Sequence, residues 1–123
     1  MVFRRDLALC SYRSRRITSR ADELFIHSEQ AVPIAIILNE LVTNCLKYAF
    51  PDGRAGHIHV ELHTDGEVIL TVTDNGIGLG AKKEEGIGSR IVALLTQQLR
   101  GTLTTENLEQ GCRATLRMPK PPV

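Results

Sequence analysis

The segment between residues 58 and 85 constrains the fold most, because it joins two strand patterns to a glycine-rich run. Residues 58–62 and 68–72 are apolar strand candidates, and the Asp65-Gly66 pair between them is typical of a tight turn. This pattern predicts a β-hairpin. The residues that follow, 74–85, are rich in glycine and charge, which predicts a loop.

Further strand patterns lie on both sides of the hairpin. Residues 102–106 and 112–118 flank a turn at Glu109-Gln110-Gly111, which predicts two more paired strands. Residues 16–21 and 24–26 are short strand candidates near the start of the chain. The strands outnumber the helices, and the sheet they predict is mostly antiparallel.

Three segments have helical character, of which residues 30–50 are the strongest. We expect Ser28 to cap that helix, Pro33 to lie in its first turn, and Pro51-Asp52-Gly53 to end it. Residues 87–99 form a second helix, ended by Gly101. Residues 3–14 predict a short third helix. Together the elements predict an α+β fold, a two-layer sandwich of helices on a sheet.

Composition excludes several other classes of protein. The 123 residues, 42% of them hydrophobic, fit one globular domain of ordinary size. No apolar run approaches the ~18 residues that a membrane helix needs, and no signal peptide is apparent. The cysteines Cys10, Cys45 and Cys112 lack metal-ligand spacing, so we expect reduced thiols in a cytoplasmic protein.

Charge is unevenly distributed along the chain. Residues 1–20 carry six arginines against one acidic residue, a net charge of +5, whereas the remaining residues have a net charge of −4. A basic arm suits nucleic acid or anionic lipid, but aromatic residues make up only 4% of the chain, which disfavours nucleic-acid binding. We expect this segment to be a solvated helix or to dock on a neighbouring element.

The long helix carries the first candidate site. At 100° per residue, Glu40, Asn44, Lys47 and Tyr48 share one face, opposite the apolar residues. An ordinary solvated helix face is the alternative interpretation. However, carboxylate and amide oxygens one turn apart suit a Mg²⁺ ion that keeps several waters, and the lysine one turn on suits a phosphate.

The glycine-rich loop carries the second candidate site. Asp74, at a strand end, precedes glycines at positions 76, 78 and 80, more than a turn requires. Such glycines allow the backbone to approach a planar or phosphorylated ligand, and the Asp74 carboxylate can accept a hydrogen bond from the amine of a base. The spacing is neither the dinucleotide fingerprint nor a P-loop.

The third candidate site lies at the start of the second helix. Gly86 and Gly88 open this helix, where free N–H groups and the positive end of the helix dipole favour an anion. Between the two glycine motifs, residues 81–85 are short and charged, which is typical of a mobile lid over a nucleotide.

Taken in this order, the three sites resemble the GHKL (Bergerat-type) ATP-binding superfamily, which includes gyrases, heat-shock chaperones and sensor histidine kinases. Residues 37–51, ILNELVTNCLKYAFP, resemble its N box and, more narrowly, that of HWE-like histidine kinases. Residues 74–78 resemble the G1 box, and residues 86–88 the G2 box. The resemblance covers residues 22–119 and implies a mixed sheet with helices on one face. Residues 1–21 would then be a basic helix or linker, and residues 120–123 a tail.

The resemblance also implies a role for each matching residue. The two glycine boxes would shape the pocket and hold the phosphates. Glu40 stands where hydrolytic members activate water, and in a kinase it would support the metal or its waters. The implied ATP contacts are Asn44 (through Mg²⁺), Lys47 (phosphate), Tyr48 (sugar or phosphates), Asp74 (adenine amine), Gly76, Ile77, Gly78, Gly86 and Gly88.

Two departures from the family pattern qualify this assignment. Cys112 stands where a threonine often meets the base through water. No dimerising hairpin with a phosphoacceptor histidine is evident, and the histidines are interpreted as ordinary strand or loop residues: His27, His57, His59 and His63.

The sequence therefore predicts the cytoplasmic ATP-binding catalytic domain of a sensor histidine kinase, monomeric as it stands. It would bind Mg-ATP and donate the γ-phosphate to a histidine on a dimerisation domain, upstream of a response regulator. Two alternatives stay open. One is a stand-alone serine kinase of the anti-sigma type, and the other is a degenerate pocket that only binds a protein.

Overall fold

The computed structural model describes residues 2–12, 15–50, 55–78 and 87–120. The elements are β1 (Val2–Tyr12), β2 (Arg15–Phe25), α1 (Ser28–Asn44), a π-helical segment called here the π turn (Cys45–Ala49), β3 (Gly56–Thr64), β4 (Glu67–Asp74), α2 (Ile87–Gln98), β5 (Thr102–Asn107) and β6 (Cys112–Pro119).

The six strands among the described residues form one mixed sheet in the order β1-β2-β3-β4-β6-β5. The β2–β3 pair is parallel, and the other neighbouring strands run antiparallel. The predicted hairpin is confirmed as β3 and β4, with the register running from Ile58 opposite Asp74 to Thr64 opposite Val68. The predicted pair at the end of the chain is confirmed as β5 and β6. The α+β class and the mostly antiparallel sheet are therefore confirmed.

One face of the sheet forms the hydrophobic core with both helices. Alternate residues of β3 and β4 point to this face because successive side chains of a strand point to opposite sides. The buried core residues are Ile58, Val60 and Leu62 of β3, Val68, Leu70 and Val72 of β4, Ile34 and Ile37 of α1, Val92 of α2, and Leu116 and Met118 of β6. The predicted placement of the helices on one face is confirmed.

The start of α1 differs from the prediction. Ser28 is the first helical residue, and His27 is the N-cap, with no side-chain capping bond. The His27 carbonyl accepts hydrogen bonds from the N–H groups of Gln30 and Ala31 at 2.9 and 3.1 Å. Pro33 is buried inside the helix, one turn further in than predicted. The predicted stop at residues 51–53 lies outside the described residues.

The end of α2 follows the prediction, with one change of detail. The N–H of Gly101 bonds to the Thr96 carbonyl, and that of Arg100 to the Gln97 carbonyl, both at 2.9 Å. This is the Schellman pattern that closes many helices. The left-handed residue is Arg100, with φ of 58°, rather than the glycine. Gly101 is needed for another reason, since a Cβ there would lie 2.7 Å from the Arg117 carbonyl oxygen.

The prediction of a helix over residues 3–14 is wrong. Residues 2–12 form the edge strand β1, paired antiparallel with β2 from Val2 opposite Phe25 to Tyr12 opposite Arg15. Short apolar runs fit a helix or a strand equally well, and here the pairing with a neighbouring strand decided. The two predicted short strands are one continuous strand, β2, and the predicted domain boundary at residues 21 and 22 falls inside it.

No helix in the described part of the chain is long and apolar enough to cross a membrane.

Candidate functional site

The site is organised by a change of helix type at the end of α1. After Asn44 the chain continues as the π turn, in which hydrogen bonds span five residues instead of four. The predicted α-helical geometry therefore ends at Asn44, although Tyr48 still lines the same cleft as Asn44. Asn44 closes the α-helical part, whereas Lys47 and Tyr48 belong to the π turn and are both exposed.

The loop after β4 docks on the last residue of the π turn. The N–H of Ile77 donates to the carbonyl of Ala49 at 2.9 Å. Gly76 lies so close to the same residue that an added Cβ would be 2.2 Å from the Ala49 carbonyl oxygen. The structure thus gives Gly76 a packing reason: no other residue fits between the loop and the π turn.

Asp74 is buried at the end of β4, with 6% of its surface exposed. One carboxylate oxygen, Oδ1, accepts the N–H of Gly76 at 2.9 Å, and the other, Oδ2, accepts the thiol of Cys45 at 3.4 Å. Each carboxylate oxygen has two lone-pair positions, so both retain capacity for a ligand donor. A buried carboxylate held by neutral donors is costly to maintain, which is typical of a functional group.

Asp74 lies in an open cleft with a volume of about 50 Å³. The walls are mainly apolar and come from α1, the π turn, β4, β5 and β6. They are Leu41, Asn44, Cys45, Tyr48, Ala49, Val72, Asp74, Gly78, Thr105, Cys112 and Ala114. Apolar walls around a buried carboxylate suit a flat heteroaromatic ring that carries an N–H donor.

Asn44 lies where this cleft meets a second one. The second cleft runs between α1, α2 and β5, and it shares Leu41, Asn44 and Thr105 with the first. Ser89, in the first turn of α2, lines it as well. The side-chain amide of Asn44 and the N-terminus of α2 therefore border one continuous space, next to the apolar pocket.

Gly78 and Gly111 hold the loop after β4 in place. Gly78 was predicted as a site residue, whereas Gly111 was not. Gly78 has φ of 80° and packs beside Asn107, whose Oδ1 would lie 2.8 Å from an added Cβ. Gly111 has φ of 104°, and an added Cβ would lie 1.9 Å from the Asp74 carbonyl oxygen. Its sequence signal was only that of a turn glycine, since its approach to Asp74 depends on the pairing of β4 with β6.

The remaining predicted site residues divide into three groups. Ile77 is exposed beside the cleft, and Gly88 lies in the first turn of α2. Glu40 is half-buried on α1 and, like Lys47, lines neither cleft among the described residues. Gly86 and the predicted lid, residues 81–85, lie outside the described residues. In the described part of the chain no group of three or more acidic, histidine or cysteine side chains is arranged to hold a metal ion.

The histidines of β3 lie away from the cleft. The hydroxyl of Thr18 is 2.7 Å from His57 Nε2 and 2.7 Å from His59 Nδ1. Desolvation, followed by the charges of Arg16 and His59, lowers the pKa of His57 below its ordinary value of 6.5. His27 lies at the start of α1. None of the four predicted histidines lines the cleft around Asp74.

Cys45, Leu41, Thr105 and Ala114 line the cleft without having been predicted as site residues. The apolar periodicity of α1 placed Cys45 among core positions. Thr105 and Ala114 carry no local signal, because only the pairing of β6 with β4 on one side and β5 on the other brings them near Asp74.

Comparison with known proteins gives a consistent result. Residues 29–122 match the family described as histidine kinase-, DNA gyrase B-, and HSP90-like ATPase. The chain is 31% identical over 107 residues to blue-light-activated histidine kinase 2 of Erythrobacter litoralis, an alignment that covers 82% of this chain and 30% of that protein.

Solved structures agree in fold. The histidine kinase domain of the Erythrobacter litoralis EL346 blue-light activated kinase matches with a TM-score of 0.79 and 27% identity, over 87% of this chain and 52% of that one. The mycobacterial sensor histidine kinase MprB matches with a TM-score of 0.69 and 16% identity, over 89% of this chain and 86% of that one. The chain thus spans less than a third of the curated relative's length and about half of the first structure.

Proposed function

This chain belongs to the family of histidine kinase-, DNA gyrase B- and HSP90-like ATPases, and we propose that it acts as the ATP-binding catalytic domain of a histidine kinase, of the HWE-like subgroup. The observation that carries the proposal is the buried Asp74 carboxylate within an apolar cleft. In an adenine nucleotide the exocyclic amine is the donor that such an acceptor requires.

The cleft fits an adenine ring in its chemistry. Leu41, Val72 and Ala114 offer apolar contact to the ring faces and edges, while Asp74 accepts from the amine. Leaving the carboxylate unpaired against a base without that amine is costly, so the site selects adenine over purines that lack the donor. Gly76 keeps the loop close to the π turn, and thus keeps Asp74 at the pocket floor.

The triphosphate would extend from this cleft toward Asn44 and the N-terminus of α2. Free N–H groups at a helix start favour phosphate oxygens, and Gly88 leaves that backbone accessible. Lys47 and Tyr48, exposed on the π turn, are the nearby cation and phenol proposed to meet phosphates or sugar. Gly86 has the proposed role of a second glycine at the phosphates.

A Mg²⁺ ion fits this donor set, because it binds through few protein oxygens and takes the rest from phosphates and water. The Asn44 amide oxygen would hold it, and Glu40 would act only through water. When bound, the ion supplies charge neutralisation at the phosphates. What the chain itself contributes is position: it holds the base, directs the triphosphate and keeps the γ-phosphate accessible.

We propose that the phosphoryl acceptor is a histidine on a dimerisation domain, in the same chain or another one. The imidazole nitrogen forms a bond to the γ-phosphorus while the bond to the β–γ bridging oxygen breaks, and ADP leaves. A response regulator would then receive the phosphoryl group in the cytoplasm. The named relative, itself a blue-light-activated histidine kinase, supports this reaction class.

A titration with a fluorescent ATP analogue, with and without Mg²⁺, tests the proposal. We expect saturable binding that Asp74→Asn weakens by about 10- to 100-fold, the range for a lost hydrogen bond to a charged group. Asn44→Ala should remove most of the gain that Mg²⁺ gives. Absence of binding in both conditions would contradict the proposal and favour a pocket that binds only a protein.

A further inference from the structure

The thiol of Cys45 is the second donor to the carboxylate proposed to recognise adenine. Its sulfur lies 3.4 Å from Asp74 Oδ2, within the range of a sulfur hydrogen bond, whereas the Gly76 N–H binds Oδ1. We propose that Cys45 is a positioning residue that fixes the plane of the Asp74 carboxylate and so sets the selectivity of the cleft for adenine. This inference rests on the proposed function.

One donor alone does not fix the orientation of a carboxylate. The torsion that ends an aspartate side chain has a broad energy profile, so the group rocks about a single hydrogen bond. Here the two donors come from separate elements, Gly76 from the loop after β4 and Cys45 from the π turn. Together they hold both oxygens, so the lone pairs left for a ligand point in a defined direction.

Cys45 lies at the helix transition. It is the first residue of the π turn, and its backbone N–H reaches the carbonyls of both Leu41 and Val42. The last residue of the same turn, Ala49, accepts the N–H of Ile77 at 2.9 Å. The two ends of the π turn therefore contact the end of β4 and the loop that follows it. Cys45 hydrogen-bonds to the Asp74 side chain, and Ala49 hydrogen-bonds to the backbone of Ile77.

This geometry predicts an effect specific to the amine of the base. Without the thiol, the Asp74 carboxylate is free to turn away from the ligand donor, and only ligands with that donor lose affinity. A residue that merely filled space would weaken the binding of every purine nucleotide alike. The ratio of affinities for ATP and for an analogue without the 6-amino group, purine riboside triphosphate, separates the two roles.

Calorimetric titration of Cys45→Ala and Cys45→Ser with both nucleotides measures this ratio. For Cys45→Ala we expect the preference for ATP to fall about 5-fold, the effect of one modest hydrogen bond, while the Kd of the analogue stays within about 2-fold. Cys45→Ser keeps an O–H donor and should retain the preference. If Cys45→Ala does not fold, Cys45→Val, which also lacks a donor, takes its place.

Leu41→Ala is the matched control, because Leu41 lines the same cleft but has no donor. It should weaken both nucleotides by the same factor and leave the ratio unchanged. An unchanged ratio in Cys45→Ala, or an equal fall in Leu41→Ala, would overturn the positioning role. Failure of the proposed function has a different signature: the unaltered protein would not bind ATP, or Asp74→Asn would bind it equally well, and the inference would fall with it.

Discussion

The two faces of the sheet are built from the same strands but differ in almost every property. On β4, Val68, Leu70 and Val72 face the helices and are almost fully buried, whereas Thr71 and Thr73 face the other side. The open face carries mainly polar and charged side chains around one buried apolar residue, Ile69: His59, Glu61, His63, Thr71, Thr73, Thr104, Glu106, Arg113, Thr115 and Arg117. Alternation along each strand therefore separates a packed face from a solvated one.

Charges on the two faces have different consequences. The open-face pairs Arg113–Glu106 and Arg117–Glu67, at 3.2 and 2.7 Å, involve exposed side chains, and such pairs contribute little to stability. Asp74 continues the alternation of the covered face and is a buried charged side chain. The covered face therefore provides stability along its length and the proposed binding site at its end.

The largest expected difference between the faces is in stability. Leu70→Ala, at a position 2% exposed, should lower the free energy of unfolding by about 2–5 kcal/mol through lost burial and a cavity. Its neighbour Thr71→Ala, on the open face, should change it by about 0.5 kcal/mol or less. Urea unfolding of both variants measures the pair. Similar losses would show that the open face is packed against something as well.

A smaller loss of stability is expected from substitutions at two glycines that flank β4, Gly66 before it and Gly76 after it. The two positions require glycine for different reasons. Gly76→Ala forces a Cβ against the Ala49 carbonyl and should lower the free energy of unfolding by about 1–3 kcal/mol, the range for overpacking. It should also weaken nucleotide binding. Gly66→Ala, in the hairpin turn, meets no atom within 4 Å and carries only the strain of φ at 75°.

Strain of that kind lowers the free energy of unfolding by about 1 kcal/mol. Because Gly66 lines neither cleft, Gly66→Ala should leave ATP binding unchanged. Thermal unfolding and ATP titration of both variants give the comparison. If Gly66→Ala weakened ATP binding as much as Gly76→Ala, the close contact at Ala49 would not be what holds the loop.

The smallest expected effect is the dependence of stability on pH that comes from His57, on the open face. The lowered pKa of His57 means that the folded chain binds its proton less readily than the unfolded chain does. Stability from this group is therefore present above pH 6.5 and is lost as the pH falls from 6.5 to the lowered pKa. Below that value both states are protonated, and no further loss follows.

His57→Gln should flatten this part of the pH dependence of stability, measured as urea midpoints of both proteins across the window. The effect should be smaller than either pair above, because His57 is exposed and solvent screens it. His63→Gln, on the same strand and also exposed, is the control. An acid dependence that survives in His57→Gln but disappears in the control would contradict the assignment.

Local sequence patterns were sufficient for several parts of the molecule. The alternation on β3 and β4, with the Asp65-Gly66 turn, predicted the hairpin, and the apolar spacing of residues 87–99 predicted α2. The position of Asp74 at the end of a strand followed too. These features depend on neighbours within a few positions, which is the range over which periodicity is informative.

Pairing and packing between distant residues decided the rest. β1 is a strand because β2 lies beside it, although its own apolar spacing also fitted a helix. Gly111 matters because β6 pairs with β4 and brings it against the Asp74 carbonyl. The Cys45 thiol, assigned by periodicity to the core, meets Asp74 because the end of α1 packs beside the end of β4. Local patterns thus predicted which side chains the covered face of the sheet carries. Which of them meet depends on contacts between distant segments, and such contacts leave no periodic trace in either segment.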